Sequence, residues 1–219
     1  MNISWHGQSC FRISEKIDGK EVVLVTDPYS KESGLFPQKF EADIVTVSHH
    51  HFDHNYTEKI SGNQDEQPVI FDRPGEYEVK QVFITGIASF HDKKGGAENG
   101  DNTIFRINFG DITLVHLGDL GVVLDEKQLD ELGTVDILFV PVGGKYTLDG
   151  IAAAEVVRQI EPRMVIPMHY KIAGLKIEVG DEKKFLKEMG DRFDSESKLK
   201  IAFKDLPEDM TRVVVLEKS

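Results

Sequence analysis

Short apolar runs recur along the chain: EVVLVTD, DIVTVS, PVIFD, VFITGI, TIFRINF, DITLVHL, DILFVPV, MVIPM and RVVVLE. Each is rich in Val, Ile, Phe and Leu, and each predicts a β-strand. Several, such as DILFVPV, are apolar without alternation, which predicts strands buried on both faces. A helical period appears mainly in the second half. IAAAEVVRQIEP places its apolar residues at helical spacing and stops before Pro162. DEKQLDELG and DEKKFLKEMG open acidic and close on Gly133 and Gly190, the grammar of two short helices. DKKGGAENGDN, residues 92–102, predicts an exposed loop. No segment reads as a linker, so residues 1–219 are expected to form one domain.

The strand pattern also repeats. CFRI at 10–13 matches IFRI at 104–107, the strand ending at Asp27 matches one ending at Asp119, and ADIVTV at 42–47 matches VDILFV at 135–140. The offsets are 94, 92 and 93, in the same order. Three coincidences at a nearly constant offset predict two halves sharing one strand pattern. Such halves can pack sheet against sheet with helices outside, an α/β arrangement.

Composition narrows the function. Hydrophobic residues make up 40% and charged residues 29%, as in ordinary globular chains. No apolar run approaches the roughly 18 residues of a membrane-spanning helix. The net charge is −12 without a basic stripe, which disfavours nucleic acid as a partner and leaves a small molecule. The single cysteine, Cys10, excludes an internal disulfide and reads as buried filler within CFRI. The start MNISWHGQSCFRI lacks the basic and apolar parts of an export signal, so a cytoplasmic location is expected. Oligomerisation is left open.

The chemistry concentrates in SHHHFDHN, residues 48–55, which holds four of the eight histidines. On an extended segment His49 and His51 point to one side and His50 to the other. Asp53 and His54 follow, where a turn can aim them at a second point. Imidazole and carboxylate are the donors of zinc, iron and manganese sites. Gathering that many titratable groups without a partner would cost several kcal/mol, so a metal site is predicted.

His49-x-His51-x-Asp53-His54 resembles the signature of the metallo-β-lactamase superfamily. Asp27 in VTDPY, His91 in ASFHD, Asp119 in HLGDLG and His169 in IPMHY match that family's other motifs, in order. WHGQSCFRI, PGEYEV, HLGDLG and PVGGKYT further resemble the branch of ascorbate-6-phosphate lactonase-like proteins. The resemblance implies a four-layer αββα sandwich with an internal pseudo-two-fold repeat. It implies two divalent metal ions, zinc first and manganese or iron as alternatives. His49, His51 and His91 would hold one ion, Asp53, His54 and His169 the other, and Asp119 both. Asp27 would buttress the histidine loop. Asp53 would orient a metal-bridging hydroxide that attacks an ester-like substrate, a lactone first. A phosphodiesterase or ribonuclease of the same superfamily is the alternative, and so is a metal-binding scaffold that turns nothing over.

His116 is either an orienting group behind the site or a core residue. The Gly-Gly-Lys of PVGGKYT lacks the frame of a phosphate-binding loop, so its glycines are expected to let the chain turn near the metals. Lys145, Tyr146 and Tyr170 are then candidates for the pocket wall, with ordinary loop roles as the alternative. Gln8 stands where the lactonase-like branch often has histidine.

Overall fold

A computed structural model describes residues 1–63 and 66–219. The chain opens with β1 (Asn2–Trp5), β2 (Phe11–Ile17) and β3 (Lys20–Thr26), then the short β4 (Phe40–Ala42), β5 (Ile44–Thr46), β6 (Ile60–Gly62) and β7 (Val69–Phe71). A second series follows: β8 (Gly75–Val79), β9 (Val82–Phe90), β10 (Asp101–Phe109), β11 (Ile112–His116), β12 (Ile137–Pro141) and β13 (Met164–Met168). The α-helices are α1 (Glu126–Leu132), α2 (Gly150–Ile160) and α3 (Lys183–Glu188), and β14 (Asp194–Glu196), β15 (Leu199–Lys200) and β16 (Arg212–Leu216) end the chain. All nine apolar runs are strands, and the helices fall where the period placed them.

Two large sheets result, ordered β15-β1-β2-β3-β5-β7 and β14-β16-β13-β12-β11-β10-β9-β8. They face each other across one apolar cluster that takes Ile3, Trp5, Phe11 and Leu24 from the first sheet and Phe105, Leu114 and Phe139 from the second. The rings of Phe11 and Phe139 meet at 4.4 Å between centroids. Every residue of β11, β12 and β13 is buried, because helices cover the face that the opposite sheet does not. In α2, Ala153, Ala154, Val156 and Val157 turn inward, and Asp149 caps the helix by accepting the N–H groups of Ile151 and Ala152. A capping box between Asp125 and Gln128 starts α1.

The arrangement is the α/β sandwich expected, with an uneven outer layer. Among the described residues no α-helix precedes Glu126. The outer face of the first sheet is covered instead by a second apolar cluster containing Tyr29, Leu35, Phe40 and Ile60, drawn from 3-10 turns, loops and the β4–β6 pair. Cys10 lies in that cluster at 1% exposure, and burial pushes its thiol up, as expected of filler.

The repeat is visible in the strand pairing. β2–β3 is an antiparallel hairpin, and β3, β5 and β7 then run parallel. β10–β11 is likewise a hairpin, and β11, β12 and β13 run parallel. A shared polar device fixes both halves. Asp43 accepts the N–H of Val23 at 2.7 Å, and Asp136 accepts the N–H of Thr113 at 2.8 Å. A cation answers each, Lys80 on Asp43 and Arg163 on Asp136.

The expected loop 92–102 is shorter and tighter than its composition suggests, since β10 begins at Asp101. Asp92 is buried and accepts the N–H groups of Lys94, Gly96, Glu98 and Asn99. A carboxylate holding four amides organises a Gly-rich segment that otherwise has little to order it. No helix of the described residues is long and apolar enough to cross a membrane.

Candidate metal centre

The centre sits beyond the C-terminal ends of parallel strands from both sheets. Asp27 follows β3, the histidine loop follows β5, Asp119 follows β11 and His169 follows β13. His91 follows β9. Strand β5 ends at Thr46, so residues 48–51 are bends rather than the extended segment assumed from the sequence. The outcome expected of the alternation holds nonetheless. The rings of His49 and His51 lie 4.5 Å apart, while His50 turns outward, 66% exposed, with its Nε2 3.5 Å from Asp72.

Two groups of donors form: His49, His51 and His91, and Asp53, His54, Asp119 and His169. Asp119 stands between them. Its Oδ2 lies 3.2 Å from the Nε2 of His91 in the first group, and 3.2 Å from the Nε2 atoms of His54 and His169 in the second. Asp53 Oδ2 lies 3.3 Å from His54 Nε2 and 3.6 Å from His169 Nε2.

Hydrogen bonds behind the donors aim them. Asp27 is fully buried, and its Oδ1 accepts the Ser48 N–H at 2.7 Å. Its Oδ2 accepts the Ser48 hydroxyl at 2.6 Å and the Nδ1–H of His54 at 2.9 Å. With its proton committed to Asp27, the Ser48 oxygen accepts the Nδ1–H of His49 at 2.9 Å. His91 donates Nδ1–H to the carbonyl of Tyr146 at 2.9 Å. Three imidazoles are thereby fixed with Nε2 facing inward, where each in its neutral form offers the lone pair that ligates a cation. Asp119 is set by Asn102, whose Oδ1 accepts the Asp119 N–H at 2.9 Å. Asn102 in turn donates to Leu117 O and Ser89 Oγ.

These residues fit a bound metal cation on two observations. His49 Nε2 and Asp119 Oδ1 are buried without any hydrogen-bond partner, each a cost of about 1–3 kcal/mol unless a ligand answers it. The electrostatics agree. Burial pushes His49 well down and keeps it neutral. Burial works against a charged His54 too, yet the carboxylates of Asp119 and Asp53 raise it well above the ordinary range. The centre therefore carries negative charge that calls for a positive partner.

The local backbone is built for close approach. Asp27 (φ 38°), His169 (φ 50°) and Gln8 (φ 51°) occupy the left-handed region. Each conformation costs on the order of 1–3 kcal/mol and persists because surrounding contacts fix it. A side chain at Gly118 would meet Asn102 Oδ1 at 2.3 Å, and one at Gly143 would meet the His169 carbonyl at 2.2 Å. Thus HLGDLG and PVGGKYT carry glycine so that their backbones can pass against the centre.

A cleft of about 530 Å³ opens over the donors, lined by His51, Phe52, Asp53, His91, Asp119 and His169 together with Glu32, Asn99, Tyr146, Lys176, Ile177 and Glu178. Of the expected wall residues Tyr146 is present. Lys145 is not on this wall; its ammonium pairs with Glu178, which is. Tyr170 is absent from it too, 5% exposed with its ring 4.9 Å from that of Trp5. His116 lies beneath the centre, fully buried, donating Nε2–H to Ser9 O at 2.9 Å and accepting the Gly118 N–H at Nδ1. Its ring packs beside Phe11 and Phe139, and burial pushes its pKa down.

Gln8, Ser48 and Asn102 are the polar residues that sequence reasoning did not place here. Gln8 donates Nε2–H to Asp53 Oδ2 at 3.0 Å and lies 3.2 Å from His169 Nε2. For Ser48 the signal was adjacency to the cluster; for Asn102 there was none.

Known proteins are similar to this chain. Residues 2–169 match the family model described as a beta-lactamase superfamily domain. A UPF0173 metal-dependent hydrolase of Thermoplasma acidophilum is 32% identical over 196 residues, which are 78% of this chain and 83% of that one. A solved structure from Thermotoga maritima, named as a candidate zinc-dependent hydrolase of the metallo-β-lactamase superfamily, is 34% identical, matches 99% of both chains and has a TM-score of 0.77. At 20% identity a metallo hydrolase of Ignicoccus hospitalis shares the fold over 87% of this chain and 90% of its own, with a TM-score of 0.60.

Proposed function

This chain belongs to the metallo-β-lactamase superfamily of metal-dependent hydrolases, within the UPF0173 family, and on that premise we propose that it is a binuclear hydrolase of small ester-like substrates, lactones first. The observation that carries the reading is the seat of Asp119, whose Oδ2 stands 3.2 Å from donors of both groups. His49, His51 and His91 would hold one divalent cation, Asp53, His54 and His169 the other, and Asp119 both. Zinc suits this donor set, as manganese or iron would. A pair of such ions supplies Lewis acidity and lowers the pKa of water to about 7.

The residues do the rest. Asp27, through His54 directly and His49 by way of Ser48, keeps both rings in the ligating tautomer. Gln8 holds Asp53 by donating to its Oδ2, and Asp53, which lines the cleft, would take the proton of the attacking water. Phe52 and Ile177 give the cleft an apolar wall suited to an acyl chain, and Tyr146 borders the same space. The lactone is favoured by the likeness of WHGQSCFRI and PGEYEV to the lactonase-like branch. A phosphodiester substrate is disfavoured by the net charge of −12.

The test is turnover by the metal-loaded protein on parallel panels of lactones and phosphodiesters, repeated with Asp119→Asn. Lactone turnover that falls at least about a hundredfold in the variant supports the reading. Turnover confined to phosphodiesters refutes the substrate class. Near-wild-type turnover by a folded Asp119→Asn protein refutes the bridging role.

A further inference from the structure

A second cavity, also of about 530 Å³, lies beside the cleft and has different chemistry. Among the described residues its walls include Lys31, Lys39 and Lys59, together with Phe36 and Tyr56, and no carboxylate. This is unusual for a chain of net charge −12. Glu32 and Glu58 adjoin Lys31 and Lys59 in sequence and Glu41 lies two residues from Lys39, yet none of the three lines the cavity. Lys80, Lys94, Lys127, Lys145, Lys183 and Lys184 pair with carboxylates, while others, such as Lys16, Lys93 and Lys171, show no such pair among the described residues. Among the described residues Lys31, Lys39 and Lys59 pair with none.

The fold explains the clustering. β4 and β6 pair in parallel with Phe40 opposite Ile60, so Lys39 and Lys59, one residue before each, enter the pair side by side. Phe40 and Ile60 turn into the apolar cluster and anchor that register. The two lysines thus start from neighbouring backbone positions on the cavity wall, where an anion between them would offset their repulsion. Phe36 is 84% exposed, more than any other large apolar side chain described, and leaves an aromatic face in water at the rim. The cavity adjoins the catalytic cleft through its own backbone: the Ser30 N–H bonds Phe52 O at 2.9 Å, Phe52 lines the cleft, and Tyr56 of the same loop lines this cavity.

We propose that this cavity is a binding site for a small phosphate ester carrying a flat aromatic group, a free mononucleotide in its simplest form. The phosphate would lie between Lys39 and Lys59 with Lys31 at its side, and the aromatic group would cover the face of Phe36. Compact ammonium groups take phosphate as point charges, and a base stacks on an aromatic face without needing a particular sequence of donors.

The experiment is calorimetric titration of the metal-loaded protein with adenosine 5′-monophosphate, adenosine, inorganic phosphate and a short single-stranded oligoadenylate. The monophosphate is expected to bind at least about tenfold tighter than adenosine or phosphate alone. In Lys39→Gln/Lys59→Gln its affinity should fall at least about tenfold, with metal content and lactone turnover unchanged. Phe36→Ser should weaken the monophosphate while leaving inorganic phosphate as it was. The proposal is overturned if the monophosphate does not bind, or if it binds the double variant as tightly as the wild type, which would put it at the metals. An oligoadenylate bound far more tightly than the monophosphate, with the same lysine dependence, would overturn the free nucleotide in favour of a strand.

Discussion

Asp27→Asn tests how this protein prepares its donors. The carboxylate accepts three hydrogen bonds in a fully buried place, from the Ser48 amide, the Ser48 hydroxyl and His54 Nδ1–H. An amide of the same shape can satisfy only part of that set. If its oxygen replaces Oδ2, its NH₂ faces the Ser48 N–H and a buried donor is orphaned, a loss of about 1–3 kcal/mol. If its oxygen replaces Oδ1, the NH₂ faces His54 Nδ1, which must then accept. The His54 proton moves to Nε2 and the inward lone pair is lost. Either arrangement should lower affinity for the cation on the His54 side by about ten- to a hundredfold, or about 1.4–2.7 kcal/mol. The His49 side, reached only through Ser48, should lose less. Competition against a chromophoric chelator reads both affinities, and thermal unfolding of the metal-free protein reads the structural cost. Asp43→Asn is the control, because Asp43 also accepts a backbone N–H but has no path to the histidines. It should lower stability and leave metal affinity alone. Affinities within about twofold of wild type in a folded Asp27→Asn protein would refute the reasoning.

Other outcomes follow from single contacts. His50→Ala should keep its metal and turnover while His51→Ala loses both, and equal metal loss in the two would show that the loop register is wrong. Asn102→Ala removes the acceptor of the Asp119 N–H and should lower metal affinity by about tenfold, measured by the same competition. Burial alone would push the Asp43 carboxyl up, but Lys80, the Val23 N–H and Asn63 hold it below the usual carboxylate range. Its contribution is therefore present above about pH 4 and lost as pH falls through its lowered value in the folded protein. Thermal unfolding of wild type and Asp43→Asn should differ at pH 7 and converge in acid, and a gap that widened in acid would contradict this sign.

The fold was legible wherever burial left a continuous apolar run, as in DILFVPV. It was illegible where a strand is short or at an edge: β8 with GEYEV, β14 with DSE and β15 with LK have little apolar signal of their own. The repeat could be read because each half needs the same hairpin followed by parallel strands. The donors could be read because four histidines and an aspartate cannot gather cheaply. Their supports could not. Asn102 and Gln8 are ordinary polar residues in sequence, and only the fold brings Asn102 to the Asp119 amide and Gln8 to Asp53. Tyr170 misled for a related reason. Adjacency to His169 suggested the cleft, but the left-handed turn at His169 sends the next side chain back into the core against Trp5.

The central claim is that seven side chains form two cation sites sharing Asp119. Elemental analysis of protein saturated with zinc and freed of loose metal decides it most directly, run beside His51→Ala and His54→Ala. The account predicts two equivalents per chain in the wild type and fewer in each variant. A wild type that never exceeds one equivalent when fully supplied would contradict it.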